Sequence, residues 1–399
     1  MTASSCFKHT KQQFYLPEDL VYLDGNSLGP LPLAATEKVS ATLQKEWGEL
    51  LIQGWNKAGW MAAPSKTGDR LATMLGAPAG SIVMGDTLSI KVFQAVDAAM
   101  DLVPDRAVVL SDSGNFPTDL YMVEGLLKNR SAGELKVVEP EHLASAIDPS
   151  VAVVLLTGVD YRTGRLHDTA SIVKKAHAVG ATVVLDLAHS AGAIPVNLHD
   201  ENPDFAVGCT YKYLNGGPGA PAFIYVAPRH QQRIRPALSG WLGHAAPFAF
   251  DQHYTPADGV ERMRVGTPPV VALSILDAAL DIWEQVSMDA VRQASIKLSE
   301  QFIAGVESQC PELVLASPRD AQQRGSQVSF RHPEGYAIVQ ALISAGVVGD
   351  FRAPDILRFG FTPLYLDSDD VAKAVERLAL IMREGRWDQP HFKIKAAVT

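Results

Sequence analysis

Cysteine is scarce in this chain: Cys6, Cys209 and Cys310 lie far apart in sequence. Such a set builds neither a disulfide framework nor a zinc site, so a reducing compartment and no metal are expected. Long apolar runs are missing too. Each hydrophobic stretch is short and interrupted by charge, which excludes a membrane-spanning helix. Basic excess is also lacking. The formal net charge is -9 with acids and bases interspersed, and no cationic stripe suggests nucleic acid or anionic lipid. Met1 to Ser5 leads into polar Lys8-His9-Thr10-Lys11-Gln12 without a secretory core. With no repeats or low-complexity tracts either, the expectation is a soluble, cytoplasmic protein acting on a small molecule.

What is present is enough for a large core. The 399 residues, 47% of them hydrophobic and 20% charged, predict a globular chain of two domains. Residues 1–60 read as a turn-rich arm: a short strand at Val21-Tyr22-Leu23, the turn Asp24 to Pro30, and a helix over about Ala34 to Leu51. From 61 to 275 strands and helices alternate. Strands are predicted at Val108 to Leu110, Val151 to Leu156, Thr182 to Leu187 and Ala222 to Val226. Helices are predicted over Phe116 to Leu127, capped by Asn115 or Thr118, and over Asp168 to Val179. The continuous apolar run at Val151 suits a parallel strand buried on both faces. This is an α/β pattern, a mainly parallel sheet flanked by helices. After two long helices (Val270 to Val286, Ala290 to Ser308), residues 276–399 predict a smaller α+β domain with strands near Val328 and Leu357. A cleft between the domains would hold the site.

Tyr211-Lys212-Tyr213-Leu214-Asn215-Gly216-Gly217 follows a strand that ends in Asp186-Leu187-Ala188-His189. A lysine between two tyrosines, ahead of a glycine-rich turn, is a poor place for a solvated charge. It suits an amine held in a Schiff base with a carbonyl cofactor, since flanking rings strip its water and favour the free amine. Asp186, at a strand's carboxyl end where ligands bind, is placed to hold a pyridine nitrogen protonated. His189 is placed to stack on a flat ring. The reading is an enzyme dependent on pyridoxal phosphate (PLP).

Three further segments support it. Asn115-Phe116-Pro117-Thr118-Asp119 is a turn entering a helix; Phe116 would cover the ring's other face and Asp119 orient its surroundings. Gly85-Asp86-Thr87-Leu88-Ser89 resembles a phosphate cradle at a helix N-terminus. Arg358, in Ile356-Leu357-Arg358-Phe359-Gly360, is a charge inside an apolar strand. It reads either as an edge-strand arginine paired with Asp355 or Asp367, or as a fork for a substrate carboxylate. Gly25-Asn26-Ser27-Leu28-Gly29 matches the serine elbow of α/β-hydrolases, but too little chain precedes it for a sheet, and Pro30 and Pro32 follow where a helix is required.

From Tyr22 to about Leu366 these segments resemble kynureninase, a PLP enzyme of aminotransferase fold type I. The most specific stretches are Leu23 to Gly29, Asn115 to Asp119, Asp186 to His189 and Tyr211 to Asn215. The resemblance implies hydrolytic Cβ–Cγ cleavage of L-kynurenine to anthranilate and L-alanine in the kynurenine pathway of tryptophan catabolism. It makes Lys212 the Schiff-base lysine, Asp186 the pyridine-nitrogen partner, Tyr211 a proton donor and phosphate ligand, and Phe116 a stacking ring. His189 and Asp119 would sit around the cofactor, Thr157 would reach its phenolic oxygen, and Leu88 and Ser89 would hold its phosphate. Trp241 and Thr267 would complete that phosphate site from a neighbouring subunit, which implies a homodimer with shared sites. Arg358 would bind the substrate carboxylate, and Asn26, Ser27 and Trp55 would line the aryl end. A crowding Trp55 favours kynurenine over its 3-hydroxy form. Leu88-Ser89-Ile90-Lys91 departs from the family's usual pattern, in which an asparagine closely follows a hydroxyl residue. The nearest alternatives are an aminotransferase, or a cysteine desulfurase with a catalytic cysteine on a mobile loop.

Overall fold

The computed structural model describes residues 3–396; Met1 and Thr2, where the leader reading starts, lie outside them. Seven strands form the main sheet: β1 (Ile82–Met84), β2 (Val108–Asp112), β3 (Glu134–Val138), β4 (Val151–Thr157), β5 (Thr182–Asp186), β6 (Phe205–Gly208) and β7 (Phe223–Val226). Their spatial order is β1-β7-β6-β5-β4-β2-β3. Strands β2 to β6 pair in parallel, whereas β7 runs antiparallel to both neighbours.

Every residue of β4 and β5 is buried, because each face of the sheet meets a helical layer. The period of two sorts the side chains. Val153, Leu155 and Val184 join Val92 and Val96 of the Leu88–Asp101 helix in one cluster. Val154, Leu156 and Leu185 join Leu276 and Leu280 of the Val270–Trp283 helix in the other. The predicted strands are present, each within a residue or two. Three strands of this sheet lie outside the sequence reading: β1, β3 and β6, of which β1 and β6 are short and β3 is a partly exposed edge.

A second sheet, order Val314–Leu315, Gln327–Arg331, Ile356–Gly360, Asp350–Arg352, is antiparallel. The helices Met288–Gln309 and Ser368–Arg383 pack against it. The N-terminal arm ties the two sheets together. Val21–Tyr22 pairs in parallel with Val347–Val348, the Gly360 amide donates to the Leu23 carbonyl at 2.6 Å, and the Gly29 amide donates to the Tyr211 carbonyl at 2.8 Å.

Local boundaries differ in two instructive places. The helix expected over Ala34 to Leu51 is α-helical only over Leu33–Ala41; Thr42–Glu49 widens to π-helix before a 3₁₀ turn at Leu51–Gln53. The helix expected from Phe116 starts at Pro117, with Phe116 itself at the cap position. Asn115 caps nothing there; its Oδ1 accepts from the Phe116 amide at 2.7 Å and shapes the preceding turn. No helix among the described residues is long and apolar enough to cross a membrane.

Candidate active site

The connection from β6 to β7 needs no crossover helix, because β7 returns antiparallel. It folds as a tight loop over residues 209–222 at the carboxyl edge of the sheet. The Asn215 amide donates to the Lys212 carbonyl at 3.0 Å, the Gly216 amide to the Thr210 carbonyl at 2.9 Å, and Asn215 adopts a left-handed φ of 59°. Gly29 abuts this loop so closely that a Cβ there would fall on the Lys212 carbonyl oxygen and the Asn215 side chain. The loop presents Lys212 Nζ 2.9 Å from His189 Nε2. The rings of Tyr211 and Phe116 stand 5.8 and 5.9 Å from the same nitrogen. Tyr213 turns into the core and meets His189 edge-on, so Lys212's second aromatic neighbour is Phe116 rather than Tyr213.

Three strand ends converge beneath the amine. Asp186 closes β5, and Thr157, closing β4, lies beside it in register. After β2 the turn at Asn115 starts the helix whose first turn carries Asp119. All this sits where the strand order reverses, between β2 and β4, the crevice in which such sheets bind ligands. Asp186 is buried, and its Oδ1 accepts from the Ala188 amide at 2.8 Å. Burial pushes its carboxyl up to about 6, against the pull of Lys212 and the Ala188 amide. Asp119 is held well above the ordinary carboxyl range, first by burial and then by the neighbouring charge of Asp186, so it is the acid that keeps its proton. Burial, with Lys212 next, drives the His189 imidazole well below its usual value and leaves it neutral. Asp119 Oδ2 and His189 Nδ1 are buried without a protein hydrogen-bond partner. Orphaned polar atoms around a lysine and a carboxylate at strand ends fit the polar edge of a pyridoxal ring.

The anion end of that fit lies at the Leu88–Asp101 helix. Thr87 occupies its cap position without a side-chain cap bond, and the first intrahelical bond is from the Lys91 amide to the Thr87 carbonyl. The amides of Leu88, Ser89 and Ile90 thus face outward at the positive end of a helix dipole. The approach is a sharp turn, with Gly85 at φ 154° and Asp86 at φ 56°. It is pinned to the loop's far end by the Gly85 amide to the Ala222 carbonyl (2.9 Å) and the Ala222 amide to the Asp86 carbonyl (3.1 Å). Lys91, unassigned from sequence, is fully buried here; its Nζ donates to Asp86, Gln94 and the Met263 carbonyl at 2.9, 2.9 and 3.0 Å.

Arg358 is not on an edge. Its strand is flanked on both sides, and its partner is neither Asp355 nor Asp367 but Asp350, directly opposite in register. Nε donates to Asp350 Oδ1 at 2.6 Å and Nη2 to Oδ2. Nη1 donates to the Tyr161 carbonyl at 2.6 Å and Nη2 also to Ser27 Oγ at 3.1 Å. Ser27 in turn donates to Asp350 at 2.6 Å, so the serine of the hydrolase-like motif serves an arginine. Asn26 is buried alongside with both amide atoms unpartnered. Trp55 meets Trp60 edge-on at 6.1 Å and Trp241 meets Phe248 edge-on at 5.8 Å, and Thr267 lines a small cleft with Gly85 and Asp86. Sequence reading missed Asp350, Arg352 and Tyr161. The first two were findable: Pro354 between two apolar-charged runs marks a hairpin, which sets Asp350 across from Arg358.

Comparison with known proteins joins these observations. A family model described as the kynureninase C-terminal domain matches residues 291–378. The kynureninase of Pseudomonas fluorescens is 46% identical over 397 residues, covering 98% of this chain and 95% of its own. That of Burkholderia pseudomallei (strain 1106a) is 47% identical with the same coverage. Among solved structures, the apo cysteine desulfurase of Thermococcus onnurineus NA1 superposes with TM-score 0.79 at 18% identity, covering 94% of this chain and 98% of that one. A lysine-to-alanine mutant of C-DES with glycine covalently linked to its PLP cofactor gives TM-score 0.79 at 20% identity, covering 92% and 98%. At that identity the likeness shows the fold alone, PLP fold type I. A desulfurase would need a mobile reactive cysteine; among the described side chains, Cys209 and Cys310 are buried, and burial pushes the Cys310 thiol up to about 11. With relatives nearly half identical along almost the whole of both chains, this chain belongs to the kynureninase family.

Proposed function

We propose that the protein hydrolyses L-kynurenine at Cβ–Cγ, giving anthranilate and L-alanine, with pyridoxal phosphate as cofactor. The observation that carries the site assignment is the convergence of Lys212, Asp186 and His189 at the carboxyl edge of the sheet, with Lys212 Nζ 2.9 Å from His189 Nε2. When bound, the cofactor supplies a carbonyl for amine exchange and an electron sink for the substrate's Cα and Cβ.

The chain's own residues do the rest. Lys212 is the attachment amine and, once released, the base that takes the Cα proton. Neutral His189 accepts from that amine and keeps it aimed. Asp186 partners the pyridine nitrogen, and protonated Asp119 keeps a second negative charge out of the same pocket. Thr157 reaches the phenolic oxygen. Phe116 and His189 would cover the two faces of the ring. Leu88 and Ser89 offer their amides to the phosphate, with Trp241 and Thr267 of a second subunit closing that seat. The Tyr211 hydroxyl, held protonated by burial above all, anchors the phosphate and returns a proton to the departing alanine carbon. Arg358 fixes the substrate carboxylate. Asn26, Ser27 and Trp55 border the aryl group. Residues 61–275 form the cofactor domain, 276–399 the small domain and 1–60 the arm; the working form is a cytoplasmic homodimer.

The test is direct. Purified protein with PLP and L-kynurenine should release fluorescent anthranilate and alanine in equal amounts. The ten-carbon 2-oxo acid of kynurenine with an aminated cofactor, or no anthranilate from holoenzyme, would overturn the assignment.

A further inference from the structure

Arg358 does not wait with an open fork. Its Nε–Nη2 edge is closed by Asp350, and Ser27 Oγ and the Tyr161 carbonyl take two of the remaining N–H groups. Arg352 also reaches Asp350, 2.9 Å from Oδ2. A second carboxylate is built into the same place. Leu23 is clamped between the two strands, its amide donating to the Val348 carbonyl at 2.7 Å and its carbonyl accepting from the Gly360 amide at 2.6 Å. Two residues beyond one clamp point and two before the other lie Asp350 and Arg358, and Asp24 follows Leu23 directly. Asp24 Oδ1 is buried without a partner, as are both amide atoms of Asn26, Thr362 Oγ1 and Tyr365 Oη.

The charges that face Asp24 come from every neighbouring element. They are Asp350 and Arg352 from one strand and Arg358 from the next. Tyr22, Tyr213 and Tyr365 also sense its charge, and burial keeps all three phenols protonated. Two arginines against two ionised aspartates sum to zero, which leaves no attraction for an anion. With one aspartate protonated the cluster carries one positive charge, matching one incoming carboxylate. Asp350 does not take that proton. Burial alone would raise its carboxyl, but the bonds and charge of Arg358, then Arg352, hold it below the ordinary value. Burial and the charge of Asp350 instead push Asp24 up to about 7.

We propose that Asp24 is a proton-linked positioning residue of the carboxylate subsite: a substrate carboxylate enters beside Arg358 together with a proton that neutralises Asp24. The inference rests on Arg358 being the carboxylate fork. Binding then weakens as pH rises through the Asp24 value, because above it a proton must be taken up for each carboxylate bound. The expected slope is about tenfold in affinity per pH unit above roughly pH 7.

The probe is 4-oxo-4-phenylbutanoate, which carries the carboxylate and aryl ketone but no amine to react with the cofactor. Titration calorimetry of the holoenzyme at pH 8 in two buffers of different ionisation heat should report uptake of about one proton per analogue bound. In Asp24→Asn, which copies the protonated shape, uptake should vanish and affinity should lose its pH dependence. Binding without uptake in the unaltered enzyme, which needs no variant to fold, overturns the proposal. So does undiminished uptake in Asp24→Asn. Arg358→Lys is the separate control: unchanged affinity for the analogue there would remove the fork reading itself, whatever the proton count.

Discussion

Lys212 and Arg358 are the two side chains whose proposed chemistry follows most directly from the sequence, each a charge in apolar company. Lys212→Ala should abolish borohydride fixation of the cofactor and slow turnover by about 10³-fold or more; mass spectrometry of the reduced protein decides it, and a persisting adduct would move the nucleophile elsewhere. Arg358→Lys keeps a charge but loses the planar edge that Asp350 holds through Nε and Nη2. The expected result is a rise in KM of about 30-fold, roughly 2 kcal/mol, with a smaller change in kcat. An unaltered KM would leave Arg358 a packing residue. What stayed hidden at this scale was partnership. Asp350, Asp24 and Lys91 are unremarkable in sequence, since burial and facing charge arise only when strands align. Tyr213 shows the reverse error: adjacency to Lys212 suggested contact, but in the tight turn closed by the Asn215 amide on the Lys212 carbonyl the Tyr213 ring is directed into the core.

Among the elements, long apolar segments were the most readable, and of the short strands of the main sheet only four-residue β7 was read. Strands β4 and β5 announce themselves as unbroken apolar runs, whereas three-residue β1 and four-residue β6 are too brief to carry a period. The widening of the arm's helix at Thr42–Glu49 has no compositional signal that a 3.6-residue period would catch. The arm itself makes a sharp prediction. In Gly29→Ala the new methyl meets backbone oxygen and a buried amide, neither of which can swing aside. The variant should be destabilised by about 1–3 kcal/mol in thermal melts. Its activity should fall further than its melting temperature suggests, because the displaced atoms belong to the lysine loop. Full activity would show that the arm yields instead.

At the scale of the whole molecule, the carboxyl edge of the sheet holds chemistry and the opposite edge holds stability. Asp204, just before β6, accepts from His177, His230 and Arg229 at 2.9, 2.6 and 2.7 Å. Burial alone would raise its carboxyl, but the two histidine bonds and then Arg229 carry it well below the ordinary range. A depressed acid stabilises the fold above its unfolded value and loses that contribution as pH falls beneath it. Asp204→Asn should therefore cost about 3 kcal/mol at pH 7, with the gap to the parent shrinking below about pH 4; a constant gap on urea titration would disprove the charge argument. Assembly has its own test. If Trp241 serves the other subunit's site, mixing the separately inactive Lys212→Ala and Trp241→Ala chains should restore about a quarter of normal activity, since half the dimers then own one intact site. No recovery would put Trp241 in its own subunit's pocket. The reversed strand β7 has a mechanical consequence. Because Ala222 at its start is bonded to both Gly85 and Asp86, the proposed reactive amine and the proposed anion seat are opposite ends of a single bracket. Their separation is a fixed gauge, set before any ligand arrives, against which a molecule of the wrong length simply does not fit. Amide exchange at Gly85 and Ala222 should accordingly be slow in apoenzyme and little changed by PLP.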